Sequence, residues 1–99
     1  MAKYRIVVDK DLEDIVPAYL EIRKKELPEL NALLAAGSLD ELRKAGHKLA
    51  GSGGGYGFDR LSEIGQTLEA SAQAGDAAAA AVCLAELKDY LGNLEVVYE

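Results

Sequence analysis

The chain has 99 residues, of which 49% are hydrophobic, 6% aromatic and 28% charged, and its formal net charge is −6. This length suits one hydrophobic core and therefore a single domain. An acidic chain without a cluster of Lys and Arg argues against nucleic acid, whose phosphates are bound by grouped cations. No apolar run approaches the length of a membrane-spanning helix and no export signal is evident, so we expect a cytoplasmic protein.

The first predicted element is a short β-branched segment, residues 4–8, for which the sequence offers no partner strand. We expect an extended arm there, followed by a helical turn. A long helix is predicted over residues 16–36, because Pro17 suits a first turn and Gly37 a helix end. Its buried stripe is expected to contain Ala18, Leu20, Ile22, Leu27, Leu30, Leu33 and Leu34.

A second helix is predicted to begin at Leu39, because Ser38 and Glu41 have the spacing of a capping box. It should end near Gly53 or Gly54, since each further glycine costs a helix about 1 kcal/mol relative to alanine. These limits place the only histidine of the chain inside the second helix.

Two further helices are predicted. Phe58 as a hydrophobic lead-in and Asp59 as an N-cap indicate a third helix over residues 60–74. Asp76 should cap a fourth helix that runs to about Leu94. Their buried stripes are expected to contain Leu61, Ile64, Leu68 and Ala72 in the third helix, and Ala80, Cys83, Leu84, Leu87, Leu91 and Leu94 in the fourth.

Short connections between these helices favour antiparallel neighbours. The predicted fold class is therefore all-α, an up-and-down antiparallel four-helix bundle with a short N-terminal arm or helical turn. We expect one domain over residues 1–99, with the arm in residues 1–10 and the bundle in residues 11–99.

His47 is predicted to face outward from the second helix. At about 100° per residue, the core-facing stripe falls on the opposite side of that helix. This orientation disfavours a buried structural histidine, and an ordinary surface histidine remains the alternative. Imidazole keeps a neutral, nucleophilic ring nitrogen near neutral pH, so His47 is a candidate for covalent chemistry. The residues of the core-facing stripe are Leu42, Ala45, Leu49 and Tyr56.

Small residues border His47 on the same helix. Ala50, Gly51 and Gly54 lie within about 60° of it and form what we call the docking strip. Glycines destabilise a helix, so their presence here indicates another requirement at this surface. The close approach of a partner protein would be such a requirement.

Three cations also surround His47: Arg43 and Lys44 about one turn before it, and Lys48 directly after it. Cations at these positions would stabilise an anionic group on His47, such as a phosphoryl group with its charge of roughly −2. The alternative for these three residues is an ordinary solvated helix face.

Residues 45–69 read AGHKLAGSGGGYGFDRLSEIGQTLE, a stretch that resembles the signature of the histidine-containing phosphotransfer (Hpt) domain family. The helix order over the remaining chain also agrees, so the resemblance covers nearly all of it. The sequence departs from the family at Ala50, where many members have a lysine near the phosphoryl group. Lys44 or Lys48 would then take its place. The matching residues are His47, Leu49, Gly51, Gly54, Gly57 and Phe58.

The resemblance implies that His47 accepts a phosphoryl group from a receiver-domain aspartate or from a sensor or hybrid histidine kinase. The group would then pass to the aspartate of a response-regulator receiver domain. A carrier of this kind is not an enzyme and has no cofactor, because the receiver supplies the acidic pocket and Mg²⁺. We expect a monomer. The alternative is a helical docking module that binds a signalling partner without being phosphorylated.

Two other kinds of site are disfavoured. The glycine run GSGGGYGF is not a P-loop, because no Gly-Lys-Ser/Thr follows it and no strand precedes it. His47 and Cys83 lie on different predicted helices and do not make a standard zinc site, so no metal ligands are predicted. As the only cysteine, Cys83 cannot form an internal disulfide and is expected in the core.

Overall fold

Four helices form the body of the molecule in a computed structural model that describes residues 3–99. The predicted all-α four-helix bundle is confirmed. Within the described residues no helix is long and apolar enough to cross a membrane. The helices are α1 (Val16–Ala35), α2 (Leu39–Gly53), α3 (Asp59–Gln73) and α4 (Ala77–Gly92), and the strands are β1 (Tyr4–Val8) and β2 (Leu94–Tyr98).

The core lies between the inward faces of the helices. The stripes predicted for α3 and α4 are buried as their 3.6-residue periodicity indicates. Leu94 is the exception, because α4 ends at Gly92 and Leu94 is a half-buried residue of β2. Phe58 precedes α3 and is fully buried.

The stripe predicted for α1 is partly wrong. Ala18 is exposed and Ile22 is 51% exposed. Apolar residues occur on most sides of this helix, so spacing alone does not define its inner face. Tyr19 defines it, because its hydroxyl lies 2.8 Å from Oγ of Ser52 on α2 and its ring stacks on Tyr56. The buried residues of α1 are Val16, Tyr19 and Leu30.

The two ends of the chain form a small parallel sheet. β1 pairs with β2 so that Tyr4 lies opposite Leu94 and Val8 opposite Tyr98. The expectation that residues 4–8 have no partner strand is therefore wrong. Tyr4 also donates its hydroxyl hydrogen to Oδ2 of Asp89 at 2.6 Å, which fixes β1 to α4.

The helix N-termini follow the predicted caps only in part. Asp76 caps α4 as predicted, since its Oδ1 accepts from the Ala79 backbone N at 3.0 Å. The capping box at Ser38 is absent: with ψ at 63°, the residue makes no side-chain cap hydrogen bond. Asp59 is the first residue of α3, and the N-cap position belongs to Phe58.

Candidate functional site

His47 lies in the middle of α2 with its side chain 75% exposed. Leu42 and Leu49, on the opposite side of the helix, are buried in the core. Ala45 and Tyr56 are half-buried. The imidazole therefore faces outward, as the helical periodicity predicts.

Glycines bring α3 into backbone contact with α2 beside His47. A Cβ atom on Gly46 would lie 2.7 Å from the backbone N of Glu69 and 2.9 Å from the Gly65 carbonyl oxygen. A Cβ atom on Gly65 would lie 2.5 Å from the backbone N of Ala50. Neither position has room for a side chain, so these glycines permit the close approach of the two helices.

This close approach places Glu69 of α3 against the imidazole. Nδ1 of His47 lies 3.0 Å from Oε2 of Glu69, whose side chain is 28% exposed. A carboxylate in this position accepts a hydrogen bond from a protonated Nδ1 and thereby selects one tautomer of the ring. With Nδ1 protonated, the lone pair of the neutral ring lies on Nε2.

Glu69 is the site residue that sequence reasoning missed. It lies 22 positions after His47 on another helix, and helical periodicity relates only residues of the same helix. A sequence signal exists in the small residues Gly46 and Gly65, because glycine within a helix often marks a close backbone approach.

The structure separates the docking strip into two parts. Gly51 is exposed, and a Cβ atom there would meet nothing within 4 Å. Gly54 is also exposed, although a Cβ atom there would lie 3.3 Å from Oγ of Ser62. Ala50 is half-buried where α2 meets α3. The open surface next to His47 therefore consists of Gly51 and Gly54.

The three predicted cations differ in their surroundings. A nitrogen of Arg43 lies 3.0 Å from Asp40, and Nζ of Lys44 lies 3.4 Å from the same carboxylate. The hydrogen bond from Arg43 and the charge of Lys44 lower the pKa of Asp40. Between residues 3 and 99, no carboxylate oxygen lies within 4 Å of Nζ of Lys48. Lys48, which follows His47 in the sequence, is therefore a cation without a carboxylate partner in the described residues.

A groove of about 440 Å³ separates α1 from α2, and His47 does not line it. The charged residues on its α2 wall are Glu41, Lys44 and Lys48, and those on its α1 wall are Arg23, Glu26 and Glu29. Each wall thus carries charges of both signs, with three cations and three carboxylates in all, so the groove has no preference for an anion.

No metal site accompanies these residues in the part of the chain that the structure describes, where no three His, Cys, Asp or Glu side chains are grouped to hold an ion. Cys83 is a buried free thiol in the core. Burial raises its pKa, so the thiol is less ionised than an exposed one.

A family comparison agrees with this geometry. The model of the Hpt domain family matches residues 14–96, a range that includes all four helices and both His47 and Glu69. The chain belongs to the Hpt domain family. None of the curated proteins and none of the solved structures compared with this Hpt domain matches it.

Membership sets the biological context of this Hpt domain. Hpt domains are phosphocarrier modules rather than catalysts, and they act in two-component and phosphorelay signalling. They interact with histidine kinases and response regulators. The exposed His47 of this Hpt domain is thus found in a family that transfers phosphoryl groups.

Proposed function

We propose that this Hpt domain is a phosphorelay intermediate that carries a phosphoryl group on Nε2 of His47. The observation that carries the proposal is the exposed imidazole held through Nδ1 by Glu69. In the accepting step, Nε2 attacks the phosphorus of a phospho-aspartate or phosphohistidine donor. The new N–P bond forms as the donor's P–O or P–N bond breaks, and the donor side chain leaves with that electron pair.

Glu69 supports this step through charge. Attack by Nε2 leaves the ring protonated on Nδ1 and therefore positively charged. The carboxylate 3.0 Å from Nδ1 stabilises that charge and holds the ring in one orientation. Donation to the next receiver reverses the step, with an aspartate oxygen as the attacking group.

Lys48 is the proposed cation for the phosphoryl group. It adjoins His47 and has no carboxylate partner between residues 3 and 99, whereas Asp40 holds Arg43 and Lys44. A cation near the phosphoryl oxygens offsets their charge of roughly −2. Lys48 would thus replace the lysine that many Hpt domains have at the position of Ala50.

The proposed partners are a sensor or hybrid histidine kinase and a response-regulator receiver domain. Gly51 and Gly54 form an open backbone surface beside His47, where the rim of a receiver site can approach. The Hpt domain would work as a cytoplasmic monomer, and the receiver would provide the Mg²⁺.

The decisive experiment is phosphorylation by the cognate kinase, by a phosphorylated receiver, and by phosphoramidate, a small donor that needs no protein contact. Wild-type protein should acquire an adduct that is labile in acid and stable in alkali. His47→Gln should acquire none, with its helicity by circular dichroism unchanged.

One outcome would decide for the alternative function. If the wild type binds its cognate partner but none of the three donors labels it, the carrier proposal is wrong. The helical docking module that works without phosphorylation would then be the function.

A further inference from the structure

The side chain of Ser62 on α3 bonds two backbone groups of the docking strip. Its Oγ accepts a hydrogen bond from the Gly54 backbone N at 2.8 Å and donates one to the Ala50 carbonyl oxygen at 2.7 Å. Ala50 and Gly54 are four residues apart, the pair that a continuing α-helix joins directly. The Ser62 hydroxyl is thus inserted into the hydrogen-bond ladder at the end of α2.

This insertion coincides with a change in the helix. α2 ends at Gly53, and Gly54 begins a 3-10 turn that extends to Tyr56. Gly53 is packed against α3, since a Cβ atom there would lie 2.8 Å from Cβ of Leu61 and from the backbone N of Ser62. α3 therefore packs against one side of the last turn of α2, while Gly51 and Gly54 stay exposed to solvent.

A strip made of glycine needs such a support. Glycine has more backbone freedom than any other residue, and Gly51 and Gly54 have no side chains that could limit it by packing. One hydroxyl that bonds residues on both sides of Gly51 restricts the shape of the strip.

We propose that Ser62 is a positioning residue for phosphotransfer between proteins: its hydroxyl holds the docking strip in the shape that the partner meets. The inference rests on the proposed function of His47. Ser62 contacts no reacting atom and acts through the backbone of Ala50 and Gly54. It affects the encounter of two proteins, and the reactivity of His47 toward a small donor is independent of it.

The test compares Ser62→Ala with Ser62→Thr, which keeps the hydroxyl, and with Thr67→Ala. Thr67 is a matched control because it also lies on α3 and, among residues 3–99, its hydroxyl donates a hydrogen bond only within its own helix, to the Glu63 carbonyl oxygen 3.0 Å away. Transfer from phosphorylated protein to a receiver should fall about tenfold in kcat/KM for Ser62→Ala, because a misplacement of about 1 Å can cost 10²-fold. The other two variants should transfer close to the wild-type rate.

Two further measurements separate positioning from folding. Labelling by phosphoramidate should be the same in Ser62→Ala and wild type, and exchange of the Gly54 amide hydrogen should be faster in the variant. If Ser62→Ala transfers to the receiver at the wild-type rate, or loses phosphoramidate labelling to the same extent, the positioning role is wrong. Failure of the proposed function is a different result, in which the wild type itself is not labelled.

Discussion

The Nδ1 atom of His47 on α2 lies 3.0 Å from Oε2 of Glu69 on α3. The pair exists because Gly46 and Gly65 let the two helix backbones touch. An exposed imidazole with a carboxylate at Nδ1 is thus assembled from two helices, and the proposed role of Nε2 depends on Gly46 and Gly65 as well as on Glu69.

The first prediction concerns the charge of Glu69. Glu69→Ala should slow phosphoramidate labelling of His47 by about tenfold to a hundredfold, because groups that orient a functional imidazole have effects of this size. Glu69→Gln should lie between this variant and wild type, since it keeps an acceptor for Nδ1 and loses the charge. The measurement is the initial rate of label incorporation.

The control for this prediction is Glu63→Gln on the same helix, whose carboxylate pairs with Arg60 at 3.3 Å. Its labelling rate should equal that of the wild type. In nitrogen NMR spectra, wild-type His47 should show the tautomer protonated on Nδ1, and Glu69→Ala should show a mixture. Equal labelling rates in wild type and Glu69→Ala would leave Glu69 without the role assigned to it.

The second prediction concerns the contact between α2 and α3. Gly65→Ala should lower the free energy of unfolding by about 1–3 kcal/mol, the usual cost of overpacking. The new Cβ atom would lie 2.5 Å from the backbone N of Ala50, so the helices must separate. The same variant should lose the His47 tautomer preference, because separation lengthens the contact with Glu69. Urea unfolding and the same NMR spectra measure both effects.

Gly92→Ala provides the matched control for this prediction. Gly92 is the last residue of α4, and a Cβ atom there would meet nothing within 4 Å. This variant should unfold at nearly the wild-type urea concentration and keep the His47 spectrum. A Gly65→Ala protein as stable as Gly92→Ala would show that α2 and α3 are not in backbone contact.

The third prediction separates stability from docking at Gly51. Gly51→Ala should be more stable than wild type by about 0.5–1 kcal/mol, because alanine is favoured over glycine inside a helix and this position is open. Gly51→Glu should remain folded yet transfer its phosphoryl group to a receiver more slowly, since a side chain would obstruct the partner. Gly51 tests the surface better than Gly54, where a Cβ atom would press on Ser62.

Phosphoramidate labelling supplies the control at Gly51. Both variants should be labelled at the wild-type rate, because this donor needs no docking surface. If Gly51→Glu transfers to a receiver as fast as wild type, the partner does not approach this part of the strip.

Local periodicity explains why part of this structure could be predicted from the sequence. The outward direction of His47 and the buried stripes of α3 and α4 follow from 3.6 residues per turn and need no tertiary information. The cap at Asp76 follows from one side chain and the amide three residues later. Such features depend on short stretches of chain, so the sequence specifies them directly.

The features that could not be predicted depend on distant parts of the chain. β1 pairs with residues 94–98 without a connecting turn that would signal the pairing. Glu69 meets His47 only after two helices have packed together. The inner face of α1 is set by the contact of Tyr19 with Ser52, and apolar residues on several sides of that helix hide it.

The fourth prediction distinguishes the two lysines beside His47. Lys48→Ala should shorten the lifetime of the phosphohistidine more than Lys44→Ala does, because Lys44 is held by Asp40 and Lys48 is not. The difference should shrink as salt rises, since both side chains are on the surface and salt screens exposed charges. Lifetimes of the adduct at low and high salt measure this, and equal effects of the two substitutions would contradict it.

The last prediction concerns Tyr90, whose hydroxyl is buried and has no hydrogen-bond partner in the described residues. Burial raises its pKa from the ordinary value of 10.0 to about 12. The unfolded chain therefore loses this proton first as pH rises. The contribution of Tyr90 to the free energy of unfolding is therefore constant below pH 10.0 and falls as the pH rises from 10.0 to about 12.

Tyr90→Phe removes both the buried unpaired hydroxyl and its ionisation. The variant should be at least as stable as wild type at pH 7, because a buried polar group without a partner costs about 1–3 kcal/mol. Its advantage should grow at pH 11, where the unfolded wild type gains from ionising Tyr90 and the variant does not. Urea unfolding at the two pH values measures this, with Tyr98→Phe on β2 as the control for removal of a half-buried hydroxyl. A Tyr90→Phe protein that is less stable than wild type at pH 7 would mean that the hydroxyl has a hydrogen-bond partner in the folded protein. A difference that does not change between pH 7 and pH 11 would mean that burial does not raise the pKa of Tyr90.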